Sequence, residues 1–378
     1  MDVRLLEWEP SAGWSASLPV ELDGPSTMVL AFGSPTREVA AARLAELAAA
    51  LPLSQLAGCS TAGEILDRRV ADGGMSVAVA RFAHTALRRA DAAVAAPTDS
   101  RRAGRDVAGA LVGPGLRAVL VLSDGLRVNG TELLNGVKEV LPVEVVVTGG
   151  LAGDGDRFAA TWVVRQGETT AGVVSAVGLY GDRIQVGHGS RGGWDSFGVE
   201  RQVTRSDGNV LYELDGEPAL ALYKRYLGDR AAGLPATALL FPLALCDDDA
   251  GPGLVRTVLA VDEAEQSMTF AGDVPQGGRV QLMRANFDRL VEGAATAGRL
   301  AYRGQDTGDG CLAVAISCVG RRLVLGERTE EEVEAVLDSL PPASSLVGFY
   351  SYGEISPSTK GGCDLHNQTM TLTTLVEV

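Results

Sequence analysis

Three acidic residues close three similar turns, and their spacing is typical of a ligand site. Glu64, Asp154 and Glu354 each stand 12 positions after a proline that follows a predicted helix, and a glycine immediately precedes each acid. The proline ends the helix, the apolar run after it predicts a buried strand, and the glycine turn lets a ligand approach the backbone closely. Ligands often bind at strand ends of packed α/β sheets, so the pattern predicts a site there. The alternative is that each acid caps a helix or binds amides of its own loop.

Other side chains of the same turns would complete a site for a free amino acid. A carboxylate can bind the ligand's ammonium, while an arginine and the amides of glycine turns can bind its carboxylate. Arg191 is the predicted partner of that carboxylate. The remaining predicted ligand-binding residues of the turns are Cys59, Ser60, Thr61, Gly149, Gly150, Tyr350 and Ser351. A fourth, weaker copy of the pattern runs to Asp247, where Cys246 replaces the glycine.

Residue types that often carry catalysis form no recognised constellation in this sequence. The only histidines are His84, His188 and His366, and the sequence has no G-x-S-x-G nucleophile elbow and no G-x-x-x-x-G-K-[ST] phosphate loop. The five cysteines are scattered without a C-x-x-C pair, which indicates reduced thiols rather than a disulfide framework or a zinc site. We therefore expect a binding protein with no catalytic residues, no metal and no cofactor.

Alternating strands and helices are predicted to position these turns. The first set has strands at 27–32, 76–82, 118–122, 144–148, 162–165 and 172–180, with helices at 36–50, 101–111 and 131–140. The second set has helices at 209–227, 283–299 and 330–340, with strands at 238–245, 256–261, 312–318, 345–350 and 369–376. The glycine-rich residues 187–198 separate the sets and predict domains at 1–200 and 201–378. We expect an α/β protein whose two domains contain duplicated helix–strand–Gly-turn units and mixed sheets.

Composition and charge exclude several functional classes. The 378 residues are 46% hydrophobic and 21% charged, which is typical of a globular protein. The net charge of −15 disfavours nucleic acid and anionic membrane surfaces as partners. No apolar run approaches the length of a membrane span, and the first 14 residues lack the apolar core of a signal peptide. We expect a cytoplasmic protein.

Several motifs resemble the FIST family, which combines an N-terminal and a C-terminal sensory domain. The resemblance covers roughly residues 25–378. Its carriers are AGCSTAGEI at 57–65, SDGLRVNGTELLNGV at 123–137, TGGLAGDGDRF at 148–158, VTRSDGNVLYELDGEPALALYKRYL at 203–227, GFYSYGEISP at 348–357 and LHNQTMTL at 365–372. His366 and Asn367 fall inside the last motif and are also predicted ligand-binding residues.

The resemblance implies a small-ligand sensor of bacterial signal transduction. Its implied ligands include amino acids or their derivatives, and its implied output partner is a separate protein such as a histidine kinase. Some related proteins bind haem and sense nitric oxide, which gives an alternative with His188 or His366 as the axial ligand. This chain reads Gly189-Ser190-Arg191-Gly192 where family members often carry a cysteine, so a thiolate role at that position is excluded.

Overall fold

A computed structural model describes residues 1–247, 251–302, 310–358 and 361–378. Its α-helices are α1 Arg37–Ala50, α2 Ser100–Leu111, α3 Gly130–Lys138, α4 Ala219–Leu227, α5 Phe287–Ala301, α6 Val319–Leu325 and α7 Thr329–Asp338. The strands that start before residue 200 are β1 Asp2–Glu9, β2 Gly13–Trp14, β3 Thr27–Gly33, β4 Gln55–Ser60, β5 Glu64–Leu66, β6 Arg69–Ala71, β7 Met75–Arg81, β8 Ala86–Ala93, β9 Leu116–Ser123, β10 Val146–Leu151, β11 Val163–Arg165, β12 Glu168–Thr170, β13 Val173–Tyr180, β14 Ile184–Arg191 and β15 Trp194–Asp207. The later strands are β16 Val210–Leu214, β17 Glu217–Pro218, β18 Leu243–Asp247, β19 Gly251–Arg256, β20 Val258–Asp262, β21 Ser267–Phe270, β22 Arg279–Ala285, β23 Leu312–Cys318, β24 Ser345–Ser351, β25 Gly353–Pro357, β26 Cys363–His366 and β27 Met370–Glu377.

Three of the sheets share one order of strands. Each is built around two parallel strands joined by a connection that contains a helix: β3 and β4, β9 and β10, β23 and β24. We call these strand–helix–strand segments unit 1 (27–60), unit 2 (116–151) and unit 3 (312–351). The first strand of each unit pairs on its other side with an antiparallel strand, which are β7, β13 and β27 in turn. The predicted α/β class with mixed sheets is therefore confirmed.

The units exchange hairpins in a closed cycle. The hairpin β5–β6 follows β4 in the chain but pairs with β24 of unit 3. The hairpin β25–β26 follows β24 but pairs with β10 of unit 2, and β11–β12 follows β10 but pairs with β4 of unit 1. Each sheet is thus completed by a segment from another unit.

The inner faces of the three sheets form one apolar core. Its strands are runs of Val, Leu and Ala because both of their faces are covered, as in parallel sheets generally. The core residues from the first strand of each unit are Met28, Leu30, Phe32, Ala118, Leu120, Leu122, Leu312, Val314 and Ile316. The outer faces are covered by α1 on the first sheet, by α2 and α3 on the second, and by α5 and α7 on the third.

A fourth, antiparallel sheet with its own core shows where the sequence predictions were wrong. Its order is β19-β18-β22-β15-β16-β21-β20, with β17 beside β16 and α4 packed against it. The helix predicted at 209–227 is β16, a turn at Asp215 with positive φ and β17 before α4 begins. The helix predicted at 283–299 begins only at Phe287, because the Asn286 side chain accepts a hydrogen bond from the amide of Arg289 and caps the helix there. The strand predicted at 238–245 starts as a 3-10 turn at Ala236–Leu240.

Strands from the two sides of the predicted domain boundary pair with each other. Strand β15 runs through residue 200, and β5 and β14 pair with β24 and β27 from the other half of the chain. The division at residue 200 stays a prediction. No helix in the described part of the chain is long and apolar enough to cross a membrane.

Candidate functional site

The turns that follow the second strands of the three units meet at one place. Three backbone hydrogen bonds link them in a ring. They run from N–H to C=O, from Ala62 to Tyr350 at 2.8 Å, from Gly153 to Ser60 at 3.0 Å and from Tyr352 to Leu151 at 3.1 Å. The turn after each unit therefore donates one bond and the end of each unit's second strand accepts one, which fixes the three turns relative to one another.

Three glycines set the register of the turns. A Cβ at Gly58, Gly149 or Gly348 would collide with a backbone carbonyl of the neighbouring strand of the same unit. These equivalent glycines show that Glu64 and Glu354 occupy the same position, six residues on. Asp154 stands only five residues on, so the equal spacing in sequence does not give it the same place in the structure.

Glu64 and Glu354 have matching surroundings. Glu64 accepts hydrogen bonds from the Thr61 hydroxyl and, at 3.1 Å, from the amide of Gly74. Glu354 accepts them from the Ser351 hydroxyl at 2.9 Å and from the amide and hydroxyl of Thr369 at 3.1 and 2.9 Å. Burial raises the pKa of each carboxyl to about 8. Both acids therefore bind their own loops, and burial favours the protonated form of each carboxyl.

Asp154 holds a different loop. Its Oδ2 accepts the amides of Ala159 and Ala160, both at 2.9 Å, and its Oδ1 accepts the Tyr352 hydroxyl. In unit 2 the amide that precedes the antiparallel strand, that of Gly172, donates instead to Asp124 at 2.8 Å. Asp124 was not predicted as a site residue.

A cleft of about 550 Å³ opens beside the ring of turns. The segment after unit 1 contributes Ala62, Val70 and Asp72, the turn after unit 2 contributes Gly155 and Asp156, and unit 3 contributes α6 and the start of α7. The lining residues are Ala62, Val70, Asp72, Gly155, Asp156, Val319, Arg322, Leu323, Gly326, Glu327, Thr329 and Glu330. The cleft is therefore shared by all three units.

Arg322 is the basic residue of this cleft. Its Nη1 and Nη2 donate to the two carboxylate oxygens of Asp72 at 2.7 and 2.5 Å, and Nη1 also donates to the Ala62 carbonyl at 2.5 Å. The guanidinium lies 5.5 Å from the centroid of the Tyr350 ring, within the range of a cation–π contact. Partial burial acts to lower the pKa of Arg322, but the hydrogen bonds and charge of Asp72 outweigh it and the pKa is raised.

A fully buried ion pair holds α6 in place behind Arg322. Arg321 donates to Glu332 from Nε and Nη2 at 3.0 and 2.7 Å, and to the carbonyls of Gly192 and Leu290 at 2.8 Å each. Glu332 also accepts the Tyr350 hydroxyl at 2.7 Å. The same network therefore fixes the helix that carries Arg322 and the ring that packs beneath its guanidinium.

The structure brings only some of the predicted ligand-binding residues near the cleft. Thr61 and Glu64 are hydrogen-bonded to each other on either side of Ala62, and the Tyr350 ring packs against Arg322, but none of the three lines the cleft itself. Cys59 lies in the central apolar core, where burial raises the pKa of its thiol, and Ser60 accepts the amide of Trp162 at 3.1 Å. The residues whose surroundings are packing or loop contacts elsewhere are Gly149, Gly150, Asp154, Ser351, Glu354 and Asn367.

Arg191 and the histidines lie away from the cleft lining. Arg191 is exposed at the end of β14 and donates to the carbonyl of Ser190. His188 is exposed on the same strand, opposite Thr373. His366 lies opposite Glu354, and burial lowers the pKa of its imidazole to about 4. Neither histidine lines the cleft, so the described residues do not fit a haem held there by an axial histidine. The side chain of Asp247 lies outside the described residues.

Arg322 and Asp72 were missed at the level of sequence. Arg322 follows the end of β23 by four residues, at the carboxyl end of a parallel strand, where ligands of α/β proteins usually bind. That position was the available signal. Asp72 gave none, because its partner lies 250 residues away in the chain.

Comparisons with known proteins give family matches along most of the chain. A model of the FIST N domain matches residues 27–217, and a model of the FIST C domain matches residues 219–357. The uncharacterized protein MJ1623 of Methanocaldococcus jannaschii is 22% identical over 255 residues, which cover 59% of this chain and 47% of that protein. The chain thus matches about half the length of this curated relative.

One solved structure with a remote likeness is that of a cyanuric acid hydrolase from A. caulinodans. The two structures have a TM-score of 0.37 and 9% sequence identity, with 99% of each chain covered. Values this low support no argument about fold or activity.

Proposed function

The chain belongs to the FIST family, and from that premise we propose that it binds a free amino acid, or a derivative of one, in the cleft beside Arg322. FIST domains are sensory domains of signal transduction that bind small ligands, and the family is sensory rather than catalytic. The family resemblance noted in the sequence is confirmed. The nature of the ligand and its position in this cleft are the proposal.

The observation that carries the proposal is the mixture of charges in one shared cleft. Its volume of about 550 Å³ falls within the roughly 300–1,000 Å³ common for small-molecule sites. A zwitterion needs donors for its carboxylate and acceptors for its ammonium. Arg322 supplies a planar pair of donors, and Asp156, Glu327 and Glu330 supply carboxylates among the lining residues. The role first assigned to Arg191 thereby passes to Arg322 in this proposal.

Calorimetric titration with the twenty amino acids and their amides tests the site. We expect at least one amino acid to bind, and its amide to bind at least tenfold more weakly because it lacks the carboxylate that Arg322 receives. Arg322→Ala should abolish that difference between acid and amide. Arg191→Ala is the matched control and should leave both affinities unchanged. Binding that is equal for acid and amide, or that needs Arg191, would contradict the proposal.

The output partner is a second part of the proposal. We propose a separate signalling protein, such as a histidine kinase, and a cytoplasmic location. The sensory role of the family supports this view. Cross-linking in cells followed by mass spectrometry, with and without the amino acid that binds best, is the measurement. Capture that includes no signalling protein under either condition would contradict it.

A further inference from the structure

We infer that Asp72 is a tethered competitor that occupies the carboxylate subsite of the cleft until a ligand displaces it. The inference rests on the proposed function, since it names the regulation of the same cleft. Two features of the structure carry it: the geometry of the Asp72–Arg322 pair, and the difference in how firmly its two members are held.

The pair has the geometry that a bound carboxylate would have. Both oxygens of Asp72 face two nitrogens of Arg322, at 2.7 and 2.5 Å, in a bidentate arrangement. This is the arrangement by which arginine recognises carboxylate ligands in general. A ligand carboxylate at Arg322 must therefore replace the carboxylate of Asp72, because both need the same two donors.

Arg322 is held in place by contacts that do not involve Asp72. The side chain is only 21% exposed, it donates to the Ala62 carbonyl, and it packs over the Tyr350 ring. The buried Arg321–Glu332 pair fixes the helix from which it projects. The guanidinium therefore stays in position when its carboxylate partner changes.

Asp72 is held only loosely by comparison. Its side chain is 72% exposed and projects from the short turn between β6 and β7. The next residue, Gly73, has a φ of +77° and open space around it. An exposed carboxylate on a glycine turn can leave Arg322 for water at little cost. Exchange of partners then keeps one carboxylate on Arg322 throughout.

The inference predicts that removing the Asp72 carboxylate tightens the binding of a carboxylate ligand to Arg322. A partly exposed ion pair is worth about 0.5–1 kcal/mol, so loss of the competitor should increase the affinity of a simple carboxylate about two- to fivefold. If Asp72 instead formed part of the ligand site, the same substitution would weaken binding. The sign of the change separates the two cases.

Acetate is the probe, because it carries a carboxylate and no ammonium. The wild-type protein, Asp72→Asn and Glu327→Gln are titrated with sodium acetate at constant ionic strength, and the Arg322 side-chain NMR signal is followed. Its assignment comes from Arg322→Lys. Glu327→Gln removes the same charge from the same cleft without touching Arg322, so it measures the general electrostatic effect. Thermal unfolding of each variant confirms that it is folded.

We expect Asp72→Asn to bind acetate at least twofold more tightly than Glu327→Gln does. Equal affinities of the two variants, weaker binding by Asp72→Asn, or no binding by any of the proteins would overturn the inference. Failure of the proposed function has a different signature. In that case no amino acid binds the wild-type protein in calorimetry, while acetate still binds Asp72→Asn more tightly.

Discussion

The two buried glutamates have surroundings that differ from those expected of a ligand-binding carboxylate. Glu64 and Glu354 were predicted to bind a ligand's ammonium, which requires a charged carboxylate that the ligand can reach. Both are at least 98% buried and hydrogen-bonded to their own loops, and their pKa is raised to about 8. The alternative considered for the sequence, that acids serve their own loops, describes these contacts. The ligand role of the turn residues stays a prediction.

These glutamates make stability depend on pH in a defined direction. In the unfolded chain each carboxyl ionises near 4.5, whereas in the folded protein it keeps its proton up to about pH 8. The folded state keeps these two protons between these values, so the contribution of the two glutamates to the free energy of unfolding falls as pH rises through this window. The slope is at most about 1.4 kcal/mol per pH unit for each group. Urea unfolding from pH 4 to 9 measures it.

Glu354→Gln should flatten part of this dependence. The amide has the shape of the protonated carboxyl and no proton to lose, so the variant should gain stability relative to wild type as pH rises toward 8. Glu265→Gln, at an exposed position, is the control and should leave the curve unchanged. A variant curve that tracks the wild-type curve from pH 5 to 8 would show that the Glu354 carboxyl is already ionised in the folded protein.

The buried pair behind the cleft makes a second prediction at the scale of residues. Glu332→Gln leaves the fully buried charge of Arg321 without its partner, and we expect a loss of about 3–5 kcal/mol in the free energy of unfolding. The exposed pair of Arg299 and Glu292 is the comparison, and Glu292→Gln should cost less than about 1 kcal/mol. Urea denaturation measures both. Similar small losses in the two variants would mean that burial does not set the strength of the first pair.

At the scale of elements, glycines decide how closely paired strands approach. A Cβ at Gly348 would collide with the carbonyl of Ala315 on β23. We expect Gly348→Ala to lower the free energy of unfolding by at least the roughly 1–3 kcal/mol that overpacking usually costs. Gly109 in α2 has open space around it, so Gly109→Ala should instead stabilise by up to about 1 kcal/mol. Opposite signs in thermal unfolding are the expected result, and equal signs would contradict the assigned close approach.

The elements that the sequence predicted well are those whose pattern is local. The second strand of each of units 1, 2 and 3 and the turn after it were predicted because proline, apolar strand and glycine turn follow one another within about 15 residues. The fourth sheet was missed in part, because β22 and α5 form one continuous helical pattern at residues 283–299 and only the Asn286 cap divides them. That the three units share an origin stays a prediction.

At the scale of the whole molecule, pairing between distant segments was beyond sequence reasoning. Nothing local to β5 shows that it pairs with β24, and nothing local to Arg322 shows that it meets Asp72. The candidate cleft arises from these pairings, since three separate units supply its walls. The sequence pattern predicted the acids, whereas it did not predict the cleft that the paired segments form.

The exchange of hairpins predicts that the two family domains do not fold separately. A fragment of residues 1–217 keeps the first sheet but lacks β25 and β26 for the second and β23, β24 and β27 for the third. We expect this fragment to show poor dispersion in a ¹H–¹⁵N spectrum and no cooperative thermal transition. Mixing it with residues 219–378 should restore both. A well-dispersed spectrum of the fragment that the second fragment does not change would contradict the prediction.

The same exchange of hairpins delays the pairing of an early strand while the chain is being synthesised. Strand β5 ends at Leu66, and its partner β24 begins at Ser345, 279 residues later. At about 5–20 residues per second, the hairpin waits roughly 15–55 s for that partner to be synthesised. Its hydrogen-bonding edge is open during this interval, and open strand edges are where nascent chains associate wrongly. We therefore expect correct folding of this protein to depend on keeping the early hairpin apart from other chains until Ser345–Ser351 has been synthesised.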